Sequence, residues 1–377
     1  MLIGIDGNEA NMDERVGVNQ YSWELLNALA KLEGKWKSKH KIIVYLKENP
    51  KDFMPKSTKY FFYKILPGKN VWIITKLTPE LLFARAKPDI FFSPNHYTPP
   101  ISTVPIVVTI HDLGYLVFSE HFRKSDFWQL KFWSAWSIFI SKHIISVSIR
   151  TKEDIVRHYP FASKKVTVVH HGFDASRFNQ SIREEDVRRI KEKYSIVKDY
   201  VLYLGTLKPS KNIEGLIDAW KLIYSKFPNY KLVIAGKKGW MFESIFEKVK
   251  KLGLTENVIF TDFVSEEDKP PLIRGAKVFI LPSFWEGFGM DILNAYACGV
   301  PVVASKIGPI PEVAGNSAIY INPSKIESIA SGIKKVLSAS EKQYNKLVKL
   351  CIESVKRFSW QNTAQETLKV LEVVHNK

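Results

Sequence analysis

The sequence predicts an α/β protein with two domains, each built around a parallel β-sheet. Three observations lead to this prediction. Short apolar stretches alternate with helical patterns in two separate series, which is typical of parallel strands connected by helices. A polar, charged stretch, residues 174–198, lies between the two series. The chain of 377 residues is long enough for two domains with a core each.

The two series of strands define the domains. The first series contains predicted strands at 1–5, 41–46, 90–93, 106–110, 143–147 and 166–170. The second contains predicted strands at 201–205, 231–236, 258–263, 277–281, 301–305 and 318–323. A helix is predicted over 18–31, where apolar residues recur at helical spacing. We expect an N-terminal domain at 1–185, a second domain at 186–358, and a C-terminal helix at 359–377 that packs back on the first domain.

Residues 281–303 combine a strand, a turn, a helix and a second strand. The helix starts near Met290 and ends at Gly299, two residues before a proline, as helices often do. Gly287 and Gly289 allow the backbone of the turn to approach a ligand closely, and the first amides of the helix favour an anion. Because Glu286 lies in the same turn, we predict a site for a phosphate with a hydroxylated group beside it.

Composition excludes several classes of protein. The net charge of +17 is spread over both halves, and no helix-turn-helix or zinc-finger pattern accompanies it, so nucleic acid is not an expected partner. Two cysteines give neither a disulfide framework nor a zinc spacing, which indicates a reducing compartment. We find no signal peptide pattern and no apolar run long enough to span a membrane, so the expected location is cytoplasmic.

Two segments, 51–87 and 122–139, combine basic residues with many aromatic residues. This composition suits a membrane interface or an acidic lipid, and it predicts peripheral contact with the inner face of a membrane. The alternative is that the aromatic residues belong to the core and the lysines are simply solvated.

Four ordered motifs resemble glycosyltransferase family 4, formerly called group 1 transferases. They are Gly17-Val18, His111-Asp112-Leu113, GTLKPSKN at 205–212 and EGFGMDILNAYACGVPVV at 286–303. The resemblance extends over essentially the whole chain. It implies the GT-B fold, in which two Rossmann-like domains face a cleft and the nucleotide-sugar donor binds mainly to the second.

The resemblance also assigns roles to residues before the glycine-rich turn. Lys211 corresponds to the family's diphosphate-binding lysine, in the loop that starts at Gly205. Thr206 stands where many relatives have arginine, so more of the phosphate charge falls on Lys211 and on backbone amides. Gly17 corresponds to the N-terminal glycine loop, and His111 to a histidine near the donor sugar. An ordinary turn glycine, a structural histidine and a solvated loop lysine are the alternatives at these positions.

Glu286 resembles the first acid of the family's E-x(7)-E motif, which binds hydroxyl groups of the donor sugar. The amides of Gly287, Phe288 and Gly289 are expected to hold the sugar and the diphosphate. The second acid is replaced by Asn294, one helical turn after Met290, at the position that binds the nucleotide ribose. An uncharged amide forms a weaker hydrogen bond than a carboxylate, so weaker donor binding is expected.

We therefore predict a retaining, metal-independent glycosyltransferase with Glu286, His111 and Lys211 as its catalytic residues. The sequence has no D-x-D motif and no His/Cys cluster with metal-ligand spacing. The donor is a GDP- or UDP-linked sugar with mannose favoured over glucose, no separate cofactor is expected, and the acceptor is a glycan or a lipid-linked oligosaccharide. The alternatives are a weakly active nucleotide-sugar-binding or scaffolding member, a sugar phosphorylase, and a nucleotide-sugar epimerase.

Overall fold

The computed structural model describes residues 1–118 and 124–376. The chain divides into two compact units. The first unit contains Met1–Gly172 together with the segment from Trp360 onward, and the second contains Phe173–Ser359. Each unit has a parallel sheet connected by helices, so the predicted α/β class with two Rossmann-like domains is confirmed. The second unit begins at Phe173, just before the charged stretch 174–198 and upstream of the expected boundary between residues 185 and 186.

The first unit, within its described residues, is built on a seven-stranded sheet in the order β3-β2-β1-β4-β5-β6-β7. All neighbouring strands in it are parallel. The strands are β1 (Leu2–Asp6), β2 (Lys41–Leu46), β3 (Phe61–Ile65), β4 (Ile90–Ser93), β5 (Ile106–Ile110), β6 (His143–Ser146) and β7 (Val166–Val168). The helices are α1 (Val18–Lys31), α2 (Glu33–Trp36), α3 (Thr78–Phe83), α4 (Gly114–Val117), α5 (Lys124–Ile140), α6 (Ile149–His158) and, from the C-terminus, α15 (Trp360–His375).

Strand β3 is absent from the predicted series and lies inside the basic aromatic segment 51–87. Phe61 begins this edge strand and is completely buried. Trp72 is also buried, and its indole nitrogen donates to the carbonyl oxygen of Leu66. Phe61 and Trp72 therefore belong to the core, whereas Phe83 of the same segment is 80% exposed. Of the second segment, 122–139, Phe122 and Arg123 lie outside the described residues.

The C-terminal helix α15 belongs to the first unit. The ring of Trp360 stacks on His171 with centroids 5.7 Å apart, and the Thr363 hydroxyl donates to the carbonyl oxygen of His170 at 2.8 Å. At the other end of the helix, Glu372 contacts His40 at 2.7 Å. These contacts attach the last helix to residues far away in the sequence.

The second unit has a parallel sheet of six described strands in the order β10-β9-β8-β11-β12-β13. The strands are β8 (Asp199–Leu204), β9 (Tyr230–Ala235), β10 (Val258–Asp262), β11 (Val278–Leu281), β12 (Val302–Ser305) and β13 (Ile319–Ile321). The helices are α7 (Glu184–Lys193), α8 (Ile213–Ile223), α9 (Glu243–Lys251), α10 (Lys269–Arg274), α11 (Met290–Ala297), α12 (Ile310–Ala314), α13 (Ile326–Leu337) and α14 (Glu341–Val355). Central strands β8 and β11 are almost entirely buried.

None of the described helices is long and apolar enough to cross a lipid bilayer.

Candidate active site

The predicted site residues of the second unit lie where the strand order of its sheet reverses. The chain runs from β8 outward to β9 and β10, and then returns to place β11 on the other side of β8. In doubly wound α/β sheets, ligands bind beyond the carboxyl ends of the strands at such a switch point. The loop after β8 carries Lys211, and the loop after β11 carries Glu286.

Hydrogen bonds join these two loops. Asn212 has a left-handed backbone conformation, with φ of 54°, at the start of α8. Its side-chain amide donates to the carbonyl oxygens of Pro282 at 3.1 Å and Pro323 at 2.8 Å. The amide of Phe284 donates to the carbonyl oxygen of Ser210 at 2.8 Å. The positions of Lys211 and Glu286 are thus fixed relative to each other by the backbone on both sides.

Lys211 and Glu286 form an ion pair. The Nζ of Lys211 lies 2.6 Å from Oε1 of Glu286, and the two side chains are only 17% and 9% exposed. The hydroxyl of Ser283 donates to the same carboxylate oxygen at 2.7 Å. A cation and a carboxylate therefore face each other in a water-poor site, and a ligand with phosphate and hydroxyl groups has a binding partner for each.

The glycine-rich turn leads directly into helix α11. Gly289 is the residue before the helix and has φ of 95°, a conformation that favours glycine. The side chain of Phe288 is buried and packs edge-on against Phe358, with centroids 6.0 Å apart. Phe288 therefore anchors the turn to the core. The segment Gly287–Gly289 can therefore bind a ligand through its backbone amides, aided by the positive end of the α11 dipole.

Asn294 contacts a neighbouring acid, Asp291, in the first turn of α11. Its amide nitrogen donates to Oδ1 of Asp291 at 3.3 Å. Burial raises the pKa of the Asp291 carboxyl, and the nearby Lys269 acts in the opposite direction. Since the amide nitrogen of Asn294 is directed to Asp291, its carbonyl oxygen can serve as a hydrogen-bond acceptor.

Gly205 and Thr206 form the tight end of β8. A side chain on Gly236 would overlap the carbonyl oxygen of Gly205, so the two backbones approach closely there. The hydroxyl of Tyr203 donates to the carbonyl oxygen of Thr206 at 3.3 Å. Burial and the carboxylates of Glu286 and Asp291 keep the pKa of Tyr203 far above its ordinary value, so this phenol stays protonated.

The predicted residues of the first unit, Gly17 and His111, lie in loops near the carboxyl end of its sheet. Gly17 precedes helix α1 with φ of 53°, a backbone conformation that favours glycine. A Cβ there would meet no atom within 4 Å, so the backbone conformation, and not a lack of space, explains why glycine occupies this position. His111 follows β5 and is 9% exposed. Its Nε2 lies 2.9 Å from the carbonyl oxygen of Pro94. Because a carbonyl oxygen can only accept, Nε2 carries the hydrogen, and Nδ1 of the neutral ring can accept a hydrogen bond.

His111 belongs to a buried aromatic cluster. Its ring meets Tyr21 edge-on at 4.7 Å and lies 5.7 Å from the ring of His171. Burial lowers the pKa of His111, lowers that of His171 further, and lowers that of His96 to about 4. At neutral pH these imidazoles are therefore uncharged, and His111 can accept a hydrogen bond but cannot act as a cation.

Three residues of the site were missed by the sequence reasoning: Asn212, Ser283 and Asp291. Ser283 stands three residues before Glu286, and Asn212 directly follows Lys211, so proximity to a predicted residue was the available signal. Among residues 1–118 and 124–376, no group of three His, Cys, Asp or Glu side chains is arranged to hold a metal ion.

Two family profiles match the chain, one on each half. The profile described as Glycosyltransferase Family 4 matches residues 16–177, and the profile described as Glycosyl transferases group 1 matches residues 186–350. These ranges contain the four motifs on which the resemblance was based.

Individual proteins extend this comparison. O-antigen chain mannosyltransferase B of Escherichia coli is 28% identical over 317 residues, which cover 83% of this chain and 79% of that protein. An uncharacterized glycosyltransferase of Methanocaldococcus jannaschii is 32% identical over 244 residues, 63% of this chain and 61% of the other. The structure of HepE from Anabaena in complex with UDP and glucose covers 99% of both chains, with a TM-score of 0.74 at 18% identity. This structural likeness confirms the GT-B fold class.

Proposed function

This chain belongs to the group 1 glycosyltransferases of family 4, and on that premise we propose that it moves a hexosyl group from a nucleotide diphosphate sugar to a hydroxyl group of an acceptor. The observation that carries the proposal is the pairing of Lys211 with Glu286 at the switch point of the second sheet. The two side chains supply the two kinds of contact that a sugar diphosphate requires.

Lys211 is proposed to bind the diphosphate. When the donor enters, the phosphate oxygens replace the Glu286 carboxylate as the partner of the ammonium group. As the glycosidic bond breaks, negative charge grows on the departing diphosphate, and a fixed cation with the amides of Gly287–Gly289 stabilises that charge. In this proposal the charge is neutralised by the chain's own groups and needs no bound metal ion.

Glu286 is then free to accept hydrogen bonds from the sugar hydroxyl groups. Ser283 still donates to this carboxylate and fixes its orientation. In the first unit, His111 offers an acceptor at Nδ1 that is suited to a sugar hydroxyl. We propose transfer with retention of configuration, in which the departing phosphate takes the proton of the acceptor hydroxyl and the protein acts by positioning and charge stabilisation.

Mannose is the proposed sugar, and GDP-mannose the proposed donor, with a UDP-linked sugar and glucose as the second choice. Support for mannose comes from relatives: the Escherichia coli protein already described and O-antigen chain mannosyltransferase RfbU of Salmonella typhimurium, 29% identical over 238 residues, are both named mannosyltransferases. Support for a uridine nucleotide comes from the UDP in the HepE structure. The proposed acceptor is a glycan or a lipid-linked oligosaccharide at the cytoplasmic face of a membrane.

Because Asn294 replaces the second acid of the family motif, one competing function has to be considered. In it, the protein is a weakly active family member that binds a nucleotide sugar or serves as a scaffold. The contact of Asn294 with Asp291 favours activity instead. With its amide nitrogen held by Asp291, Asn294 presents its carbonyl oxygen as an acceptor for a ribose hydroxyl, which is the role of the carboxylate in relatives. The contact remains uncharged and therefore weaker.

Calorimetry with GDP, UDP, ADP and their sugars, in the presence of EDTA, tests the proposal. We expect one nucleotide to bind specifically and Lys211→Ala to lose at least about tenfold in affinity, since a charge-assisted contact is removed. Lys226→Ala, an exposed lysine of the same unit, is the matched control. Binding that is equal in both variants, or dependent on a metal ion, would contradict the assigned role of Lys211.

An activity assay separates the remaining alternatives. A transferase forms a glycosylated product only when an acceptor is added. A sugar phosphorylase requires inorganic phosphate, and a nucleotide-sugar epimerase converts the donor without any acceptor. Specific nucleotide binding without turnover over a panel of acceptors would support the scaffold.

A further inference from the structure

The outward side of helix α5 carries large aromatic side chains where a surface helix normally presents polar residues. Trp128, Phe132, Trp136 and Phe139 are 49, 66, 45 and 62% exposed. Because they are separated by four, four and three positions, they lie along one side of the helix. The opposite side of α5 contributes Ile138, which is completely buried, to the core of the first unit.

Ring contacts join the exposed side chains into two groups that follow one another along α5. Trp128 and Phe132 stack with centroids 5.4 Å apart, and Phe139 lies 5.8 Å from Trp136 and 6.0 Å from Phe161. Phe161 follows α6 and is itself 56% exposed. We call Trp128, Phe132, Trp136, Phe139 and Phe161 the aromatic face. The indole nitrogen of Trp136 donates to the carbonyl oxygen of Pro100 at 3.0 Å, so its polar atom is satisfied within the protein.

Most of the exposed Phe and Trp side chains of the described residues lie in this region. In the part of the chain that the structure describes, six Phe and Trp side chains are exposed: the five of the aromatic face and Phe83 at the end of α3. The exposed large apolar residues of the second unit are aliphatic, namely Val197, Leu222, Met241 and Leu350. The aromatic face is therefore a local feature and not a general property of the surface.

Lysine side chains lie directly against the aromatic face. The Nζ of Lys131 is 5.0 Å from the ring centroid of Trp128, and that of Lys165 is 5.4 Å from the ring of Phe161. Protein–protein interfaces are depleted in lysine, whereas aromatic rings with lysines beside them are typical of the membrane interface, where the ammonium groups reach lipid phosphates. The net charge of +17 adds a general attraction to an anionic surface.

The size of the surface also favours a bilayer over a second copy of the chain. An aromatic side chain buries about 150–250 Å² when fully covered, so five that are half exposed offer roughly 500 Å². A stable protein dimer needs about 800 Å² from each partner with complementary shape. A fluid bilayer needs no complementary shape, so the smaller surface suffices.

We propose that the aromatic face docks the protein on an anionic phospholipid bilayer. The rings of α5 and Phe161 enter the interfacial region, while Lys131 contacts lipid phosphates. The Nζ of Lys165 donates to the carbonyl oxygens of Phe139 and Ser141 and stays within the protein. This surface belongs to the first unit and shares no residue with the donor site of the second. The inference therefore goes beyond the proposed function and can be tested independently of it.

The test is flotation of the full-length chain with vesicles of phosphatidylcholine alone or mixed with phosphatidylglycerol. We expect binding to the mixed vesicles, a blue shift of tryptophan emission, and partitioning reduced roughly tenfold or more in the double variant Phe132→Gln/Phe139→Gln. Val197→Gln/Leu222→Gln is the matched control, with two exposed apolar residues changed in the second unit. Lys131→Gln is expected to weaken binding to the anionic vesicles, and Lys226→Gln to leave it unchanged.

Four outcomes would overturn the proposal. They are no binding of the wild type to anionic vesicles, equal binding to both lipid compositions, equal loss in the aromatic and control variants, and a wild-type dimer in ultracentrifugation that the aromatic variant dissociates. The last outcome would assign the face to a second copy of the chain. Nucleotide binding, measured in parallel, is expected to be unchanged in Phe132→Gln/Phe139→Gln. Its absence in the wild type would refute the proposed function and leave the membrane result standing.

Discussion

Replacing Lys211 by methionine is expected to destabilise the second unit even without a ligand. The substitution leaves the Glu286 carboxylate, 9% exposed, with the Ser283 hydroxyl as its remaining described hydrogen-bond donor. The reciprocal substitution, Glu286→Gln, is expected to cost less. Lys211 has a long flexible side chain that is 17% exposed, and its ammonium group can turn toward water, whereas the shorter carboxylate cannot.

The magnitude follows from the geometry. Two charges 2.6 Å apart attract by about 6 kcal/mol at an effective dielectric constant of 20, and the loss of solvation offsets a large part of this. Removing one partner of a buried pair costs roughly 3–5 kcal/mol, and the partial exposure of Lys211 places the expected value near 3 kcal/mol. For a unit of this size, that lowers the melting temperature by roughly 6–12 °C.

A double-mutant cycle measures this coupling by thermal and urea unfolding of the full chain without nucleotide. In Lys211→Met/Glu286→Gln no charge is left unpaired, so we expect about 2 kcal/mol of the loss to be recovered. Lys226→Met is the control and should change the free energy of unfolding by no more than about 0.5 kcal/mol. Strictly additive effects of the two substitutions would refute the ion pair as a feature of the ligand-free protein.

Three further predictions concern the donor site, the histidine cluster and a glycine. Asn294→Glu is expected to tighten nucleotide binding about fivefold, since a charged acceptor strengthens the ribose contact; unchanged or weaker affinity in calorimetry would count against that contact. The depressed pKa values of His96, His111 and His171 should give the first unit full stability above pH 6.5, with a loss as the pH falls toward 4. Urea unfolding at pH 7.5 and 5.5 tests this, and equal midpoints would refute it. Gly236→Ala is expected to destabilise the second unit by about 2–3 kcal/mol because the added Cβ meets the Gly205 carbonyl, and an unchanged melting temperature would contradict this.

Most of the fold was predictable because the strands of a parallel sheet are continuous apolar runs. Strand β5, for example, is completely buried along its length and stands out in the sequence as IVVTI. Strand β3 was missed because only Phe61 of FFYKI is fully buried, while the rest is half-buried at the edge of the sheet. An edge strand with a lysine and two further aromatic residues has the same composition as an interfacial segment.

The motifs located the loops of the site but not the contacts within them. The sequence placed Lys211 and Glu286 in loops after separate strands, and the strand order brings these loops together. The two segments 51–87 and 122–139 have the same composition, basic residues with many aromatic residues, so the sequence alone could not distinguish them. Burial separates individual residues, since Trp72 faces the core whereas Phe83 of the first segment and Phe132 of the second are exposed.

The sequence by itself determined the α/β class, the two domains, the family and the glycine-rich turn before α11, because these depend on local periodicity and on short motifs. Tertiary structure decided that Lys211 meets Glu286 and that Asn294 donates to Asp291. It also decided which nitrogen of His111 carries the hydrogen and which aromatic rings are exposed. The physical reason is that each of these depends on a partner brought close by packing. Burial and hydrogen bonding, which set charge and orientation, exist only once the sheet and its helices have come together.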